Sequence, residues 1–232
     1  MLGYCVVVPD LRAHGTSGAP LAKTGDFSIA RFAADIQAVL DDAEIERVHW
    51  LGNSLGGIVG LALLRETPER FLSFATFGTA YRLGLPSVAP RLLPLLYRTL
   101  GADRLGQIAA AFTTNDRAAR KLIAQMIAAF DPRPGERIAQ QVRAYDLADA
   151  AQQFAGPVLI IRGARDRAVN LALGPTFAAM AQHPDFERLD ISTAGHCANL
   201  DAPVEVRSAL DRFWRRAGAH PTAEVSVLSA GG

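Results

Sequence analysis

"HWLGNSLGGIVGLALL", residues 49–64, opens as a short apolar run, turns at Gly52 and Asn53, presents a lone hydroxyl at Ser54, and passes through Gly56 and Gly57 into a helical pattern. Gly52-Asn53-Ser54-Leu55-Gly56 fits Gly-x-Ser-x-Gly. The bare pattern is weak, because glycine and serine are common. Its setting gives it weight. A strand before and a helix after put Ser54 on a strained turn, and the flanking glycines omit side chains that would clash with the neighbouring strand and helix. The hydroxyl is then held at the sheet edge, beside the positive end of a helix dipole. A phosphate-binding turn is the competing reading, but the Lys of a Walker loop and the spacing of a dinucleotide fingerprint are both missing.

Outward from this stretch, strands and helices alternate. "YCVVVPD" (4–10) is β-branched and predicts a buried strand running into a loop. From Ser28 onward Ile29, Phe32, Ala33, Ile36, Val39 and Leu40 share one helical face, with Asp26 or Ser28 as cap. "RVHWLG" and "FLSFATFG" are the next strands, separated by a helix that Pro68 stops. "GPVLIIRG" and "FERLDIS" are two more, each followed by a helix, the last ending near Trp214. Residues 79–151 break the alternation with helical patterns alone, punctuated by Pro86, Pro90, Pro94, Pro132 and Pro134. The expected fold class is α/β: a mostly parallel sheet with helices on both faces and an inserted all-helical cap. The expected divisions are a core at 1–78 and 152–217, the cap at 79–151, and a small, polar, disordered tail at 218–232.

Composition narrows the function classes. The chain of 232 residues is 50% hydrophobic and carries a formal net charge of +1, with no basic stripe for nucleic acid. Two cysteines, Cys5 and Cys197, and five scattered histidines give no metal spacing, so neither a metal nor a cofactor is implied. The apolar runs are too short to span a bilayer, and "MLGYCVVVPD" lacks the basic region and cleavage site of a signal peptide. The expectation is a cytoplasmic protein with a small-molecule substrate, no membrane partner, and self-association left open.

In open α/β sheets ligands bind beyond the carboxyl ends of the strands. Ser54 lies at one such end. A serine hydroxyl needs a base in reach, and the base needs an orienting acid. His196, in "TAGHCANLDAP", follows the last strand, and Gly195 lets its loop bend over the sheet. His14, His49, His183 and His220 are weaker candidates by position. Asp166, in "LIIRGARDRAV", lies just past an apolar strand; the competing reading is a loop carboxylate paired with Arg165 or Arg167. The chain order Ser, Asp, His belongs to one hydrolase architecture. Cys197 is read as packing, and Arg12 and His14 have no definite role.

With these residues in view, the chain resembles the α/β-hydrolase superfamily over residues 4 to about 216. "DLRAHGTSGAP" resembles the family's Asp-x-Arg-Gly-His-Gly-x-Ser segment, with Ala13 for a usual glycine. "GNSLGG" matches the nucleophile elbow, "GARDRAV" the acid loop, and "AGHCANLDAP" the histidine loop, with Asp201 where Glu is common. The resemblance implies Ser54 as nucleophile, His196 as general base, Asp166 as its orienter, and the N–H of Leu55 as an oxyanion donor. The helical block is similar to the lids of lactonases, esterases and carbon–carbon hydrolases. Asn53, Tyr97, Phe112, Met126 and Phe130 are then the expected substrate contacts, with Leu83, Leu85 and Leu92 as further lining. The implied activity is hydrolysis of a small ester or lactone through an acyl-enzyme. Carbon–carbon hydrolysis by the same triad and a non-catalytic binding module are the alternatives; a haloalkane dehalogenase would need a carboxylate where Ser54 stands. The sequence opens at the family's fourth strand, so a fragment or a misplaced start is expected. "YCVVV" and "RVHWLG" must then either pair directly or leave two edges open.

Overall fold

The computed structural model describes residues 3–18, 25–86 and 92–218. Its centre is a four-stranded, all-parallel sheet in the order β1 (Val48–Asn53), β2 (Phe71–Phe77), β5 (Val158–Gly163), β6 (Phe186–Ile191). Side chains on β2 and β5 alternate between two apolar layers. Phe74, Val158 and Ile160 face one layer; Ala75, Phe77, Leu159 and Ile161 face the other. Burial on both faces is what makes these strands near-continuous hydrophobic runs.

The first layer is covered by α1 (Ile29–Asp42), α2 (Leu55–Glu66), α7 (Ala148–Gln153) and α8 (Leu173–Met180), the second by α9 (Ala198–Asp201) and α10 (Pro203–Gly218). Ser28 caps α1, its hydroxyl accepting from Arg31 N at 3.2 Å. Phe32, Ala33, Ile36 and Leu40 are buried on the predicted face. Every residue of α2 from Gly57 to Leu64 is buried, because the helix runs between the sheet and both α1 and α7. This is the helix that starts just after Ser54.

Between β2 and α7 the chain leaves the sheet. It forms α3 (Leu93–Leu100), α4 (Ala102–Thr113), α5 (Arg117–Ala129) and α6 (Pro132–Val142), matching the predicted helical patterns. Two three-residue strands stand at the neck, β3 (Arg82–Gly84) and β4 (Ala144–Asp146), paired antiparallel with Leu83 opposite Tyr145. No strand was legible there, since three residues cannot display a period of two. Arg82 and Asp146 form an ion pair across the neck, and Tyr145 Oη donates to Ala80 O at 2.7 Å.

One expectation is overturned. Residues 4–8 are not a buried strand: they join no ladder, and Val6 and Val8 are 73% and 85% exposed. A β-branched run becomes a strand only beside a partner at about 4.8 Å. Among the described residues β1 pairs with β2 alone, so of the two arrangements foreseen it is the open-edged one that occurs there. Tyr4 is nonetheless anchored, with its ring 5.1 Å from that of Trp214, which in turn lies 6.0 Å from the ring of His49 on β1. The final helix continues to Gly218. The predicted disordered tail lies outside the described residues beyond that point, as does Pro90.

Candidate active site

Four loops meet at the carboxyl end of the sheet. The first is the β1–α2 turn. Ser54 has φ +49° and ψ −116°, a conformation strained for any residue with a Cβ. The surroundings enforce it. Ser54 N donates to Phe77 O at 3.2 Å, and Ser54 O accepts from Gly57 N and Ile58 N at 3.0 and 3.1 Å. A Cβ on Gly52 would lie 2.6 Å from Gly57 Cα and N, so the strand and helix backbones touch at the turn. Gly56, expected to relieve crowding, faces open space; Gly57 is the crowded one, against the side chain of Thr79. Leu55 begins α2, which puts its N–H in the first turn, where helical amides have no partner within the helix.

The second loop follows β5 and carries Asp166. It is 3% exposed, and Arg165 and Arg167 do not pair with it. Its Oδ1 accepts from Ala168 N and Val169 N at 2.8 and 3.0 Å. Its Oδ2 lies 3.0 Å from His196 Nδ1. A carboxylate can only accept, so this contact assigns the proton to Nδ1 and leaves Nε2 as the basic nitrogen.

The third loop, after β6, carries His196, and it is pressed onto the sheet. A Cβ on Gly78, at the end of β2, would lie 2.9 Å from His196 Nδ1 and 2.8 Å from its carbonyl oxygen. Asn53 stitches the first and third loops together. Its Nδ2 donates to Phe77 O at 3.2 Å and to His196 O at 3.1 Å, which spends both protons of an amide expected at the substrate. The residue before Ser54 is thus bonded to His196 itself. Among the described residues no hydrogen bond joins Ser54 Oγ to the imidazole.

The fourth loop, between α4 and α5, comes from the insert. Cys197 N donates to Thr113 O at 2.8 Å, and the Asp201 carboxylate accepts from Thr114, Asn115 and Asp116. Sequence reasoning attached no role to residues 113–116, read Cys197 as packing, and noted Asp201 only as standing where Glu is common. Cys197 is half-buried, and burial, helped by the Asp201 and Asp166 carboxylates, pushes its thiol up to about 11.

Of the four insert residues expected at the substrate, Tyr97, Phe112 and Met126 lie on α3, α4 and α5, and Phe130 just past the end of α5. Tyr97 Oη donates to Ile127 O at 3.4 Å, tying α3 to α5. Phe130 packs on the main core and lies 4.8 Å from the His14 ring. Phe112 and Met126 are exposed, at 51% and 63%. Of the lining proposed with them, Leu85 and Leu92 are also exposed. Arg12 is committed elsewhere, its guanidinium paired with both Asp35 oxygens at 2.5 Å. A cleft of about 470 Å³ between α4 and α5, lined by Asp103, Gln107, Arg120 and Lys121, touches none of Ser54, Asp166 or His196. Among the described residues no His, Cys, Asp or Glu cluster could hold a metal ion, and no helix is long and apolar enough to cross a membrane.

A parallel sheet covered on both faces, with a strained serine turn and a buried Asp–His pair at its carboxyl end, is the architecture of the α/β hydrolases. Residues 2–203 match the family model described as alpha/beta hydrolase fold, and the chain belongs to that family of enzymes. It is 26% identical over 219 residues to 3-oxoadipate enol-lactonase 2 of Acinetobacter baylyi, covering 92% of this chain and 79% of that one. It is 27% identical over 212 residues to a 2-hydroxy-6-oxononadienedioate/2-hydroxy-6-oxononatrienedioate hydrolase of Paraburkholderia xenovorans, covering 86% and 72%. Among solved structures, a thermophilic esterase from Thermogutta terrifontis superposes with a TM-score of 0.76 at 22% identity, covering 90% of this chain and 79% of that one.

Proposed function

We propose that this chain is a serine hydrolase of small carboxylic esters or lactones, with Ser54, His196 and Asp166 as its triad. The observation that carries the reading is the 3.0 Å contact between buried Asp166 and His196 Nδ1, on a loop that Asn53 bonds to the Ser54 turn. Ser54 Oγ attacks the substrate carbonyl as its proton passes to His196 Nε2. A tetrahedral oxyanion forms, facing the N–H of Leu55. Collapse breaks the bond to the leaving oxygen, which takes the proton back from the imidazolium. Water, deprotonated by the same nitrogen, then attacks the acyl-serine and releases the acid. In a lactone the leaving oxygen stays attached, and ring opening gives one product. A single oxyanion donor is worth about 10²–10³ in rate.

Residues 79–151 act as the cap, with exposed Phe112 and Met126 offering its substrate-facing apolar surface and Tyr97 and Phe130 holding that surface in place. Two unpaired thiols, Cys5 and Cys197, fit a reducing, cytoplasmic setting. The similarity to an enol-lactonase supports the lactone reading. Carbon–carbon hydrolysis is the second reading, favoured by the similarity to the oxononadienedioate hydrolase.

A panel of p-nitrophenyl esters, lactones and a dienoate diketone separates the two, and turnover of the diketone alone overturns the ester reading. A fluorophosphonate probe tests the nucleophile. Labelling lost in Ser54→Ala supports it; a folded, unlabelled wild-type chain makes this a binding module instead.

A further inference from the structure

Among the described residues the Asp201 carboxylate receives five hydrogen bonds. Oδ1 accepts from Thr114 Oγ1 at 2.5 Å, from Asn115 N at 2.7 Å and from Asp116 N at 3.1 Å. Oδ2 accepts from Gly195 N at 2.6 Å and from Asn115 Nδ2 at 3.3 Å. Oδ1 thus faces the α4–α5 corner of the insert alone, while Oδ2 joins that corner, through Asn115 Nδ2, to the N–H of Gly195, the residue before His196. Two more bonds run alongside: Cys197 N to Thr113 O at 2.8 Å, and Asn115 Nδ2 to Thr193 O at 3.4 Å. The packing is close, since a Cβ on Gly195 would sit 3.1 Å from Asp201 Oδ2 and 3.2 Å from Asn115 Nδ2. Thr114 is 2% exposed and Asp201 is half-buried, while Asn115 and Asp116 lie at the surface, so the junction runs from the interior to its rim. Burial alone would raise the Asp201 carboxyl; the bonds from Thr114, Gly195, Asn115 and Asp116 outweigh it and hold the group below the ordinary carboxylate value. It therefore stays an acceptor-only anion at neutral pH, as five donors require.

We propose that Asp201 is a positioning residue, which clamps the α4–α5 corner of the insert to the Gly195–His196 loop and so makes the placement of the imidazole depend on the seating of the insert. This rests on His196 acting as the base of the proposed hydrolysis. The clamp does not touch the reacting atoms; it acts through Gly195. In Asp201→Asn one oxygen becomes an N–H₂ group, which cannot accept from Gly195 while its oxygen accepts from the corner. One side of the junction must let go.

The test uses the full chain and two readouts. The first is kcat and KM on the best substrate of the ester and lactone panel. A misplaced base costs on the order of 10–100-fold in rate, so Asp201→Asn lowers kcat by that factor while KM changes by less than about threefold. Asp201→Glu, which retains both oxygens, recovers most of the loss. Ser28→Ala, which uncaps α1 and removes no bond to the junction residues, lowers Tm and leaves kcat unchanged. The second readout is the downfield proton resonance of His196 Nδ1–H, assigned by its disappearance in His196→Gln. Asp201→Asn shifts or broadens it. This arm needs no turnover, so an inactive wild type counts against the hydrolase reading and leaves the clamp to be decided by the resonance. If Asp201→Asn does not fold, Thr114→Val, which removes one insert-side donor, is read in the same two ways. A folded variant with wild-type kcat and an unshifted resonance overturns the proposal.

Discussion

Gly163 and Gly195 meet backbone to backbone: a Cβ on Gly163, the last residue of β5, would overlap the Gly195 carbonyl oxygen, with that of Ala194 close behind. The strand that delivers Asp166 and the loop that delivers His196 are thus in register by direct contact. Gly163→Ala forces them apart, because neither backbone can yield as a flexible side chain would. Overpacking of this kind costs about 1–3 kcal/mol of stability, measurable by urea denaturation. The larger effect is on kcat, which falls with the lost alignment of His196.

Asp166→Asn addresses the imidazole directly. An amide at this position can present its N–H₂ group to His196, favouring the tautomer with the proton on Nε2. The fall in kcat expected for such a tautomer error is about 10⁴-fold. KM and the thermal midpoint change far less, since the Oδ1 bonds to Ala168 N and Val169 N are kept. Steady-state kinetics beside a thermal melt separates the two effects.

The glycines around Ser54 are not equivalent. Gly52→Ala drives a methyl to 2.6 Å from the Gly57 backbone and abolishes both the folded turn and fluorophosphonate labelling. Gly56→Ala meets nothing within 4 Å and lies in a helix, so it is tolerated and gains about 0.5–1 kcal/mol in helix propensity. Melting curves of the two variants, taken together, check the contrast.

Cys197 is adjacent to His196 but is not an activated thiol. With its thiol raised to about 11, less than about one part in a thousand is thiolate at neutral pH. Reaction with iodoacetamide therefore rises about tenfold per pH unit and levels off only above 11, because the thiolate is the reactive form. Peptide mass spectrometry at pH 7.5 is expected to find the exposed Cys5 modified well before Cys197.

The parts legible in the sequence were those that local chemistry specifies. Ser28 caps, Pro68 stops a helix, and Gly52 opens a strand-to-helix turn, each within a few residues of its effect. The rest depended on distant neighbours. The β-branched run at 4–8 looks like a strand from composition, but a ladder is made by a partner and none is paired with it. Asn53 looks free for a ligand until His196 O, 143 positions away, takes its proton. Asp201 stands out in the sequence only as the residue where Glu is common in the histidine loop; its bonding was not legible, because four of its five donors among the described residues come from residues 114–116. Gly56 and Gly57 read alike, and only the position of Thr79 tells them apart.

The β3–β4 neck has an engineering consequence. The insert departs after Gly84 and returns at Ala144, and these residues face each other on one ladder rung. A segment whose ends already touch can be exchanged without asking the core to span a new distance. The sheet is therefore a chassis on which an insert from a relative can be spliced at that rung, provided the donor keeps a corner that fits Asp201. Chimeras built this way are expected to change substrate range while the serine turn below stays as it is.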